Sequence, residues 1–255
     1  MEFLKMEGMG NDFVVTEGLA PDPDQVRAWC DRRLGIGADG VLVIAEPAHP
    51  GAAARMSLWN SDGSVAESCG NGLRCVARYL FDRGWVDGRR FIVDTPTGPS
   101  EVEVMADGSV RAELGTYRIG GSVTGSGYEF VSVSVGNPHA VTFMEETGEV
   151  DGLNLGEIGS LMQDHPAFPD GVNVEFATPV GPGAFRVRVW ERGAGETRAC
   201  GTGAAAVAAV AHAQGRAGPA VEIRYPGGSL GVELAGEAAW IRGPAVSVFA
   251  GTIPA

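Results

Sequence analysis

Lysine is nearly missing. Of the 19 basic residues in this 255-residue chain, only Lys5 is a lysine. A pyridoxal enzyme needs a lysine amine for its Schiff base, and Lys5 lies in the first strand-like segment, ahead of any glycine-rich turn. Pyridoxal chemistry is therefore nearly excluded. No glycine-rich loop ends in lysine, so phosphoryl transfer from ATP lacks its usual anchor. Positive charge is scarce in general: 19 basic residues face 32 acidic ones, a net −13, and no stretch concentrates it. A nucleic-acid partner or an anionic membrane partner is not expected. The four cysteines, Cys30, Cys69, Cys75 and Cys200, are too few for a disulfide scaffold. No apolar run approaches the ~20 residues of a membrane span; the longest, Ala204 to Ala213, suits a buried helix. The opening MEFLKMEGMGNDF has no basic region before an apolar run, so no signal peptide is expected. The expected setting is a reducing cytoplasm.

Metal ligands are also sparse. Cys69 and Cys75 stand six apart, wider than a zinc knuckle, and His49, His139, His165 and His212 show no pairing at ligand spacing. No metal site is expected. There is no Cys-x-x-Cys redox motif either.

Glycine (39) and proline (15) punctuate a chain that is 44% hydrophobic, enough to bury a sizeable core. Residues 1–17 read as strand, turn, strand, with the turn at Gly8-Met9-Gly10-Asn11-Asp12. Residues 22–34 read as a helix capped by Asp22 or Asp24 and ended by Gly35. Apolar strands are expected at 41–45 and 56–59, with a turn at Asn60-Ser61-Asp62-Gly63. After Glu67-Ser68-Cys69-Gly70-Asn71-Gly72, apolar positions 73, 76, 77 and 80 have helical spacing. Short strands are expected from 91 to 114, and Gly115 to Gly127 reads as a connector between halves. In the second half, strands are expected at 131–135, 172–176 and 185–191 and a short helix at 155–163. The Ala/Val helix after Cys200-Gly201-Thr202-Gly203 is followed by strands at 220–225, 229–234, 238–242 and about 245–252.

The two Cys-Gly-x-Gly segments, at Cys69 and Cys200, each open a helix and stand half a chain apart. They imply two similar domains, each presenting one cysteine at the start of its central helix. A helix N-terminus carries unpaired N–H groups and partial positive charge, which should lower the pKa of a cysteine there and make thiolate available. Glycines let a ligand approach the backbone, and the same N–H groups bind a carboxylate. One chemistry needs such symmetry. Inverting a stereocentre takes a base on one face and an acid on the other, and a thiolate and a thiol perform both steps. Backbone N–H groups can stabilise the carbanion-like state. Cys69 and Cys200 have no reason to be core at glycine-flanked helix starts. Cys30 and Cys75, at core-facing helical positions, read as small hydrophobes.

Several blocks then resemble the diaminopimelate epimerase family. They are Gly8-Met9-Gly10-Asn11-Asp12-Phe13, Gly35-Ile36-Gly37-Ala38-Asp39-Gly40, Asn60-Ser61-Asp62-Gly63-Ser64 and Cys69-Gly70-Asn71-Gly72-Leu73-Arg74-Cys75. Gly136-Asn137-Pro138-His139, Asn173, the run from Trp190 to Gly203, and Tyr225-Pro226-Gly227-Gly228 continue the series in family order over nearly the whole chain. The resemblance implies a cofactor-independent enzyme interconverting LL- and meso-diaminopimelate, in the synthesis of lysine and of the peptidoglycan precursor. It implies an α/β fold, mostly antiparallel, of two similar domains, each a barrel-like sheet around a central helix. The active site would lie in the cleft between them. The domains would span 1–116 and 117–244, with a C-terminal strand at 245–255 returning to the first. A homodimer is usual for the family.

By the same resemblance, Cys69 and Cys200 form the acid/base pair. Asn11, Asn60, Asn137, Asn173, Glu191 and Arg192 would hold the substrate, and backbone N–H groups of Gly70-Asn71 and Gly201-Thr202 its reacting α-carboxylate. His139 and Glu191 would tune the thiols. The assignments make physical sense. The distal amino-acid end must be gripped to position the reacting Cα; arginine takes a carboxylate bidentately, and asparagine serves ammonium and carboxylate alike. A proline or hydroxyproline racemase would share the cysteines, but its small cyclic substrate gives Arg192 and four asparagines nothing distal to hold. One departure stands out: Gly40 occupies a position where some relatives carry a ligand-contacting glutamine, and it offers only backbone.

Overall fold

A computed structural model describes residues 1–18, 20–66 and 69–253. Glu67 and Ser68 of the first cysteine segment, and residues 254–255 of the expected last strand, lie outside the described residues. The chain divides into two compact units, Met1–Ala112 with Gly243–Ala255, and Glu113–Arg242.

The first unit begins with strands β1 (Glu2–Gly8) and β2 (Asn11–Glu17), helix α1 (Pro23–Cys30), and strands β3 (Gly40–Ala45), β4 (Ala52–Asn60) and β5 (Val65–Ala66). Helix α2 (Gly70–Asp82) and strands β6 (Arg90–Thr95), β7 (Gly98–Val104) and β8 (Val110–Thr116) follow. The second unit carries β9 (Arg118–Gly125), β10 (Tyr128–Ser134), β11 (Pro138–Phe143), helices α3 (Thr147–Gly152) and α4 (Leu155–Gln163), β12 (Asn173–Gly181), β13 (Ala184–Glu191) and β14 (Gly195–Thr197). Helix α5 (Gly201–Ala213) and strands β15 (Ala220–Tyr225), β16 (Gly228–Ala235) and β17 (Ala238–Gly243) complete it, and β18 (Val246–Thr252) returns to the first unit.

Strand pairing makes the repeat explicit. In the first unit the ladder β18-β1-β2-β3-β4-β6-β7-β8 reads antiparallel, antiparallel, parallel, antiparallel, parallel, antiparallel, antiparallel. In the second, β9-β10-β11-β12-β13-β15-β16-β17 reads the same way. The short strands β5 and β14 pair antiparallel with β4 and β13. Each sheet wraps one helix. The first packs β1, β2, β3, β4 and β7 on α2, and the second packs β10, β11, β12, β15 and β16 on α5.

The registers coincide too. Val41 on β3 pairs with Trp59 on β4, and Val174 on β12 pairs with Trp190 on β13. Gly40 faces Phe13 as Asn173 faces His139. Position for position, Asn11 in the first unit is therefore equivalent to Asn137 in the second, Phe13 to His139, Gly40 to Asn173, Leu42 to Glu175, and Cys69 to Cys200.

The core follows the period of each element. On α2, Leu73, Val76, Ala77 and Leu80 are buried, and every residue of α5 from Gly201 to Ala211 is buried. Small residues suit a helix enclosed on all sides, because the sheet backbone can come close.

Three expectations need correction. The connector at 115–127 is in fact the end of β8 and the whole of β9, whose backbone pairs with β10 from Arg118 to Gly125; its glycines sit in an exposed strand. Helix α1 ends at Cys30, ahead of Gly35, because the Asp31 carboxylate accepts from the N–H groups of Arg33 and Leu34, both at 2.7 Å. That local bonding competes with helix continuation. Helix α3 was not expected; its sequence TGEVDG carries no helical stripe.

Candidate active site

Each unit presents a cysteine as the N-cap of its central helix. Cys69 has extended backbone (φ −155°, ψ 103°), and its Sγ accepts from the Gly72 N–H at 3.2 Å. Cys200 is equivalent (φ −127°, ψ 121°), accepting from Gly203 N–H at 3.4 Å. Sulfur thus takes the place that a serine or aspartate oxygen fills at other helix starts. Neither first turn holds an acidic residue, so nothing neutralises the helix-end charge from within. The N–H groups of Gly70, Asn71, Gly201 and Thr202 fall among those a helix cannot bond internally.

In the first unit, Asn11 opens β2 after a two-residue turn in which Met9 (φ 62°) and Gly10 (φ 78°) are both left-handed. This is the hairpin geometry that matches strand twist. Asn11 Nδ2 donates to Asp39 Oδ2 at 2.9 Å, and Asp39 and the neighbouring Asp12 are both gripped by Arg32. Lys5, the lone lysine, lies against Asp12 at 2.6 Å. Burial pushes the Asp12 carboxyl up, but hydrogen bonds from Arg32 and Lys5 outweigh it and hold it well below the usual carboxylate range. Asn60 ends β4 and donates to Ser64 Oγ at 3.0 Å. Behind Cys69, Arg74 is fully buried. It donates to Asn71 Oδ1 at 2.8 Å, Gly70 O at 3.3 Å and Pro244 O at 3.3 Å. Burial lowers its pKa, with the cysteines opposing.

In the second unit a connected set of polar groups leads to Cys200. His139 and Glu175 are fully buried, with His139 Nδ1 2.7 Å from Glu175 Oε1. His139 Nε2 lies 2.9 Å from Asn137 Oδ1. Asn137 Nδ2 donates to Thr202 Oγ1 at 3.4 Å, and Thr202 Oγ1 lies 3.4 Å from Cys200 Sγ. Asn173 is spent on the backbone: it donates to Pro138 O and accepts from Arg192 N–H, both at 2.9 Å. It fixes where Arg192 leaves the strand. The Arg192 side chain is exposed and donates to Asp170 O at 3.3 Å. Glu191 accepts from the Thr197 hydroxyl. Burial raises its carboxyl pKa, while hydrogen bonds from Thr197 and Cys200 lower it.

The expected lowering of the thiol pKa fails at Cys200. Its residue is buried, at 5 % exposure, contrary to the expectation that a cysteine at a glycine-flanked start stays out of the core. Burial raises its pKa well above the ordinary thiol value, and the Glu191 and Glu175 carboxylates raise it further. The Thr202 hydroxyl and the Gly203 N–H pull the other way without prevailing. Desolvation of a sulfur anion outweighs a helix end here. Cys69 is half-buried. Cys30 and Cys75 are buried, and burial pushes their thiols up to about 11 and about 12.

Sequence reasoning missed Glu175, Tyr225, Asp39 and the Lys5–Asp12–Arg32 cluster as parts of these two surroundings. Glu175 had a usable signal: a carboxylate in the strand Val172–Phe176, two residues beyond Asn173. Gly40 admits no side chain as the backbone stands, because a Cβ there would meet Trp59 O at 2.5 Å.

The family model for diaminopimelate epimerase matches residues 3–120 and 131–248. A diaminopimelate epimerase of Xanthomonas axonopodis pv. citri is 43% identical over 274 residues, covering 98% of this chain and 95% of the relative. That of Desulforudis audaxviator is 42% identical over 280 residues, 98% of each, and that of Synechococcus sp. strain JA-2-3B'a(2-13) 40% over 280 residues, 99% and 98%. Among solved structures, a hydroxyproline epimerase from Agrobacterium vitis, with bound trans-4-hydroxy-L-proline, superposes with a TM-score of 0.75 at 21% identity over 98% of this chain and 91% of that one. A PhzF-family phenazine biosynthesis protein from Bacillus anthracis gives 0.75 at 15% identity, over 100% and 99%. At these identities the structural matches establish the fold alone.

Proposed function

The chain belongs to the diaminopimelate epimerase family, and we propose that Cys69 and Cys200 are the two bases with which it inverts one Cα of diaminopimelate. The activity is that of an amino-acid epimerase, interconverting the LL and meso forms. What supports the cysteine assignment is the repeat. Two units with the same strand order and register each wrap one helix capped by a cysteine.

In one direction the Cys200 thiolate removes the Cα proton and becomes a thiol. The electron pair left on Cα is stabilised through the adjacent carboxylate, which the N–H groups of Gly70, Asn71, Gly201 and Thr202 hold. The Cys69 thiol then gives its proton to the opposite face and becomes the thiolate. The reverse reaction exchanges the roles, and the protein ends each turnover with one proton moved from one sulfur to the other. The raised pKa of Cys200 suits this work. A thiolate of higher pKa is the stronger base toward a very weakly acidic Cα–H, at the expense of its population at neutral pH.

Asn11, Asn60, Asn137, Glu191 and Arg192 hold the substrate in this reading, Arg192 taking the distal carboxylate. Asn173 acts by fixing the Arg192 backbone. His139 and Glu191 tune Cys200. The working form is a homodimer in the cytoplasm with a small-molecule substrate; among the described residues no helix is long and apolar enough to cross a membrane.

The test is Cα–H exchange in deuterated water. Diaminopimelate should exchange and proline should not, and Cys69→Ala and Cys200→Ala should each abolish epimerisation in folded protein. Exchange with proline but not diaminopimelate overturns the substrate, and full activity in either alanine variant overturns the thiol pair.

A further inference from the structure

One buried acid has no place in that mechanism. Glu175 on β12 is fully buried, its Oε1 2.7 Å from His139 Nδ1, and among the described residues its Oε2 has no hydrogen-bond partner. The fold does not demand it. At the equivalent positions of the first unit, behind Cys69, stand Phe13 and Leu42, with the same pairing and register.

The hydrogen bonds around Cys200 have a direction. The Asn137 amide donates through Nδ2 to Thr202 Oγ1, which turns its Oδ1 toward His139 Nε2. An amide oxygen only accepts, so Nε2 carries a proton and donates. Thr202 Oγ1, already accepting from Asn137, has its own hydrogen available for Cys200 Sγ. Three donors in series, His139, Asn137 and Thr202, thus run toward one sulfur. The polarity holds only while His139 keeps its proton on Nε2, and the other nitrogen, Nδ1, faces Glu175. A carboxylate can only accept, so Nδ1 carries a proton as well, and beside Glu175 the ring donates at both nitrogens. A second-line carboxylate that orients an imidazole is a recurrent device.

We propose that Glu175 is a positioning residue for Cys200: by accepting from Nδ1–H of a His139 ring protonated at both nitrogens, its carboxylate keeps Nε2–H, the Asn137 amide and the Thr202 hydroxyl donating in one direction onto the Cys200 sulfur. This rests on the reading of Cys200 as one of the two bases. Other groups face the same sulfur. Glu191 on β13 and Glu175 itself disfavour the thiolate through their charge, and the Gly203 N–H on α5 favours it. The Tyr225 hydroxyl on β15, buried without a hydrogen-bond partner among the described residues, lies in the field of Cys200, Glu175 and Glu191. Glu175 therefore acts on Cys200 in two opposed ways. As a bare charge it raises the thiol pKa; as the anchor of the donor series it lowers it.

The opposition makes the proposal testable. In a Cys69→Ala background, the rate of Cys200 alkylation by iodoacetamide is followed against pH by mass spectrometry. The same is done with Glu175→Leu and Glu175→Gln added. Glu175→Leu should move the inflection up by about one pH unit, as loss of an aligned donor to an anion would. Glu175→Gln can turn its amide N–H to an Nδ1 that has given up its proton, which leaves the remaining ring proton on Nε2, so the inflection should stay closer to the parent. An inflection that falls or stays put in Glu175→Leu overturns the proposal, as does an equal upward shift in both variants. A measurement on the unsubstituted chain stands even if Glu175→Leu does not fold. With 15N-labelled histidine, His139 Nε2 should carry a proton at neutral pH, and an unprotonated Nε2 overturns the proposal. Neither experiment uses turnover, so failure of the epimerase reading would show separately, as absent exchange with diaminopimelate.

Discussion

A Cβ added to Gly203 would lie 2.7 Å from Glu175 Oε1 and 3.2 Å from Cys200 Cβ. Glycine at the third position of α5 thus lets the helix start descend onto a buried carboxylate. On an open helix, glycine to alanine gains roughly 0.5–1 kcal/mol. Here the clash is with a side chain held by His139, and overpacking costs about 1–3 kcal/mol. Gly203→Ala should therefore lower Tm and slow epimerisation. A raised Tm in thermal denaturation would mean that Glu175 yields freely.

The thiols should differ in reactivity without any ligand. Cys69 is half-buried, whereas Cys200 is buried and its pKa raised. Cys30 and Cys75 are buried with thiols at about 11 and about 12. Under brief iodoacetamide treatment at neutral pH, peptide mapping should find Cys69 labelled first, Cys200 more slowly, and the other two only on unfolding. Faster labelling of Cys200 would contradict the burial described for it.

Arg74 has no carboxylate partner at ion-pair distance among the described residues; it satisfies the Asn71 side chain and the carbonyls of Gly70 and Pro244. Arg74→Met fills most of the volume but takes the donor from the buried Asn71 Oδ1, at roughly 1–3 kcal/mol. The urea midpoint should fall by a corresponding amount. An unchanged midpoint would place the strength of that region elsewhere.

Acid should weaken the first unit through Asp12. Its carboxyl is held below the ordinary value by Arg32 and Lys5 against the effect of burial. A carboxylate with a lowered folded pKa stabilises the fold above its unfolded pKa of about 3.9, and that stability is lost as pH falls toward the folded value. Asp12→Asn should remove this contribution at neutral pH. It also takes the paired carboxylate from the buried Lys5 amine, which keeps its hydrogen bond to Gly37 O, so the variant should be less stable at neutral pH. Urea unfolding of both proteins between pH 7 and pH 3 checks this: their stabilities should converge as pH drops, and parallel curves would disprove it.

The elements that the sequence discloses are those with local signals. The helix start at Cys69 is announced by glycines and the 73, 76, 77, 80 spacing, and the turn at Met9-Gly10 by its composition. The alignment of Asn11 with Asn137 was hidden, because it arises from strand register and two parallel crossings that no local pattern encodes. Strand β9 was masked by its glycines, since pairing with β10 overrides weak propensity. The rise at Cys200 was hidden for another reason: burial, Glu175 and Glu191 come from separate strands, and only the folded unit gathers them around the sulfur.

Strand β18 pairs with β1, and the amino group of Met1 donates to Ile253 O at 2.8 Å, while Ile253 N–H donates to Met1 O at 2.7 Å. A ribosome making this chain therefore delivers all of the second unit, residues 113–242, before the last edge of the first exists. The half that is synthesised earlier must wait, one edge of its sheet unpaired, for the half that is synthesised later.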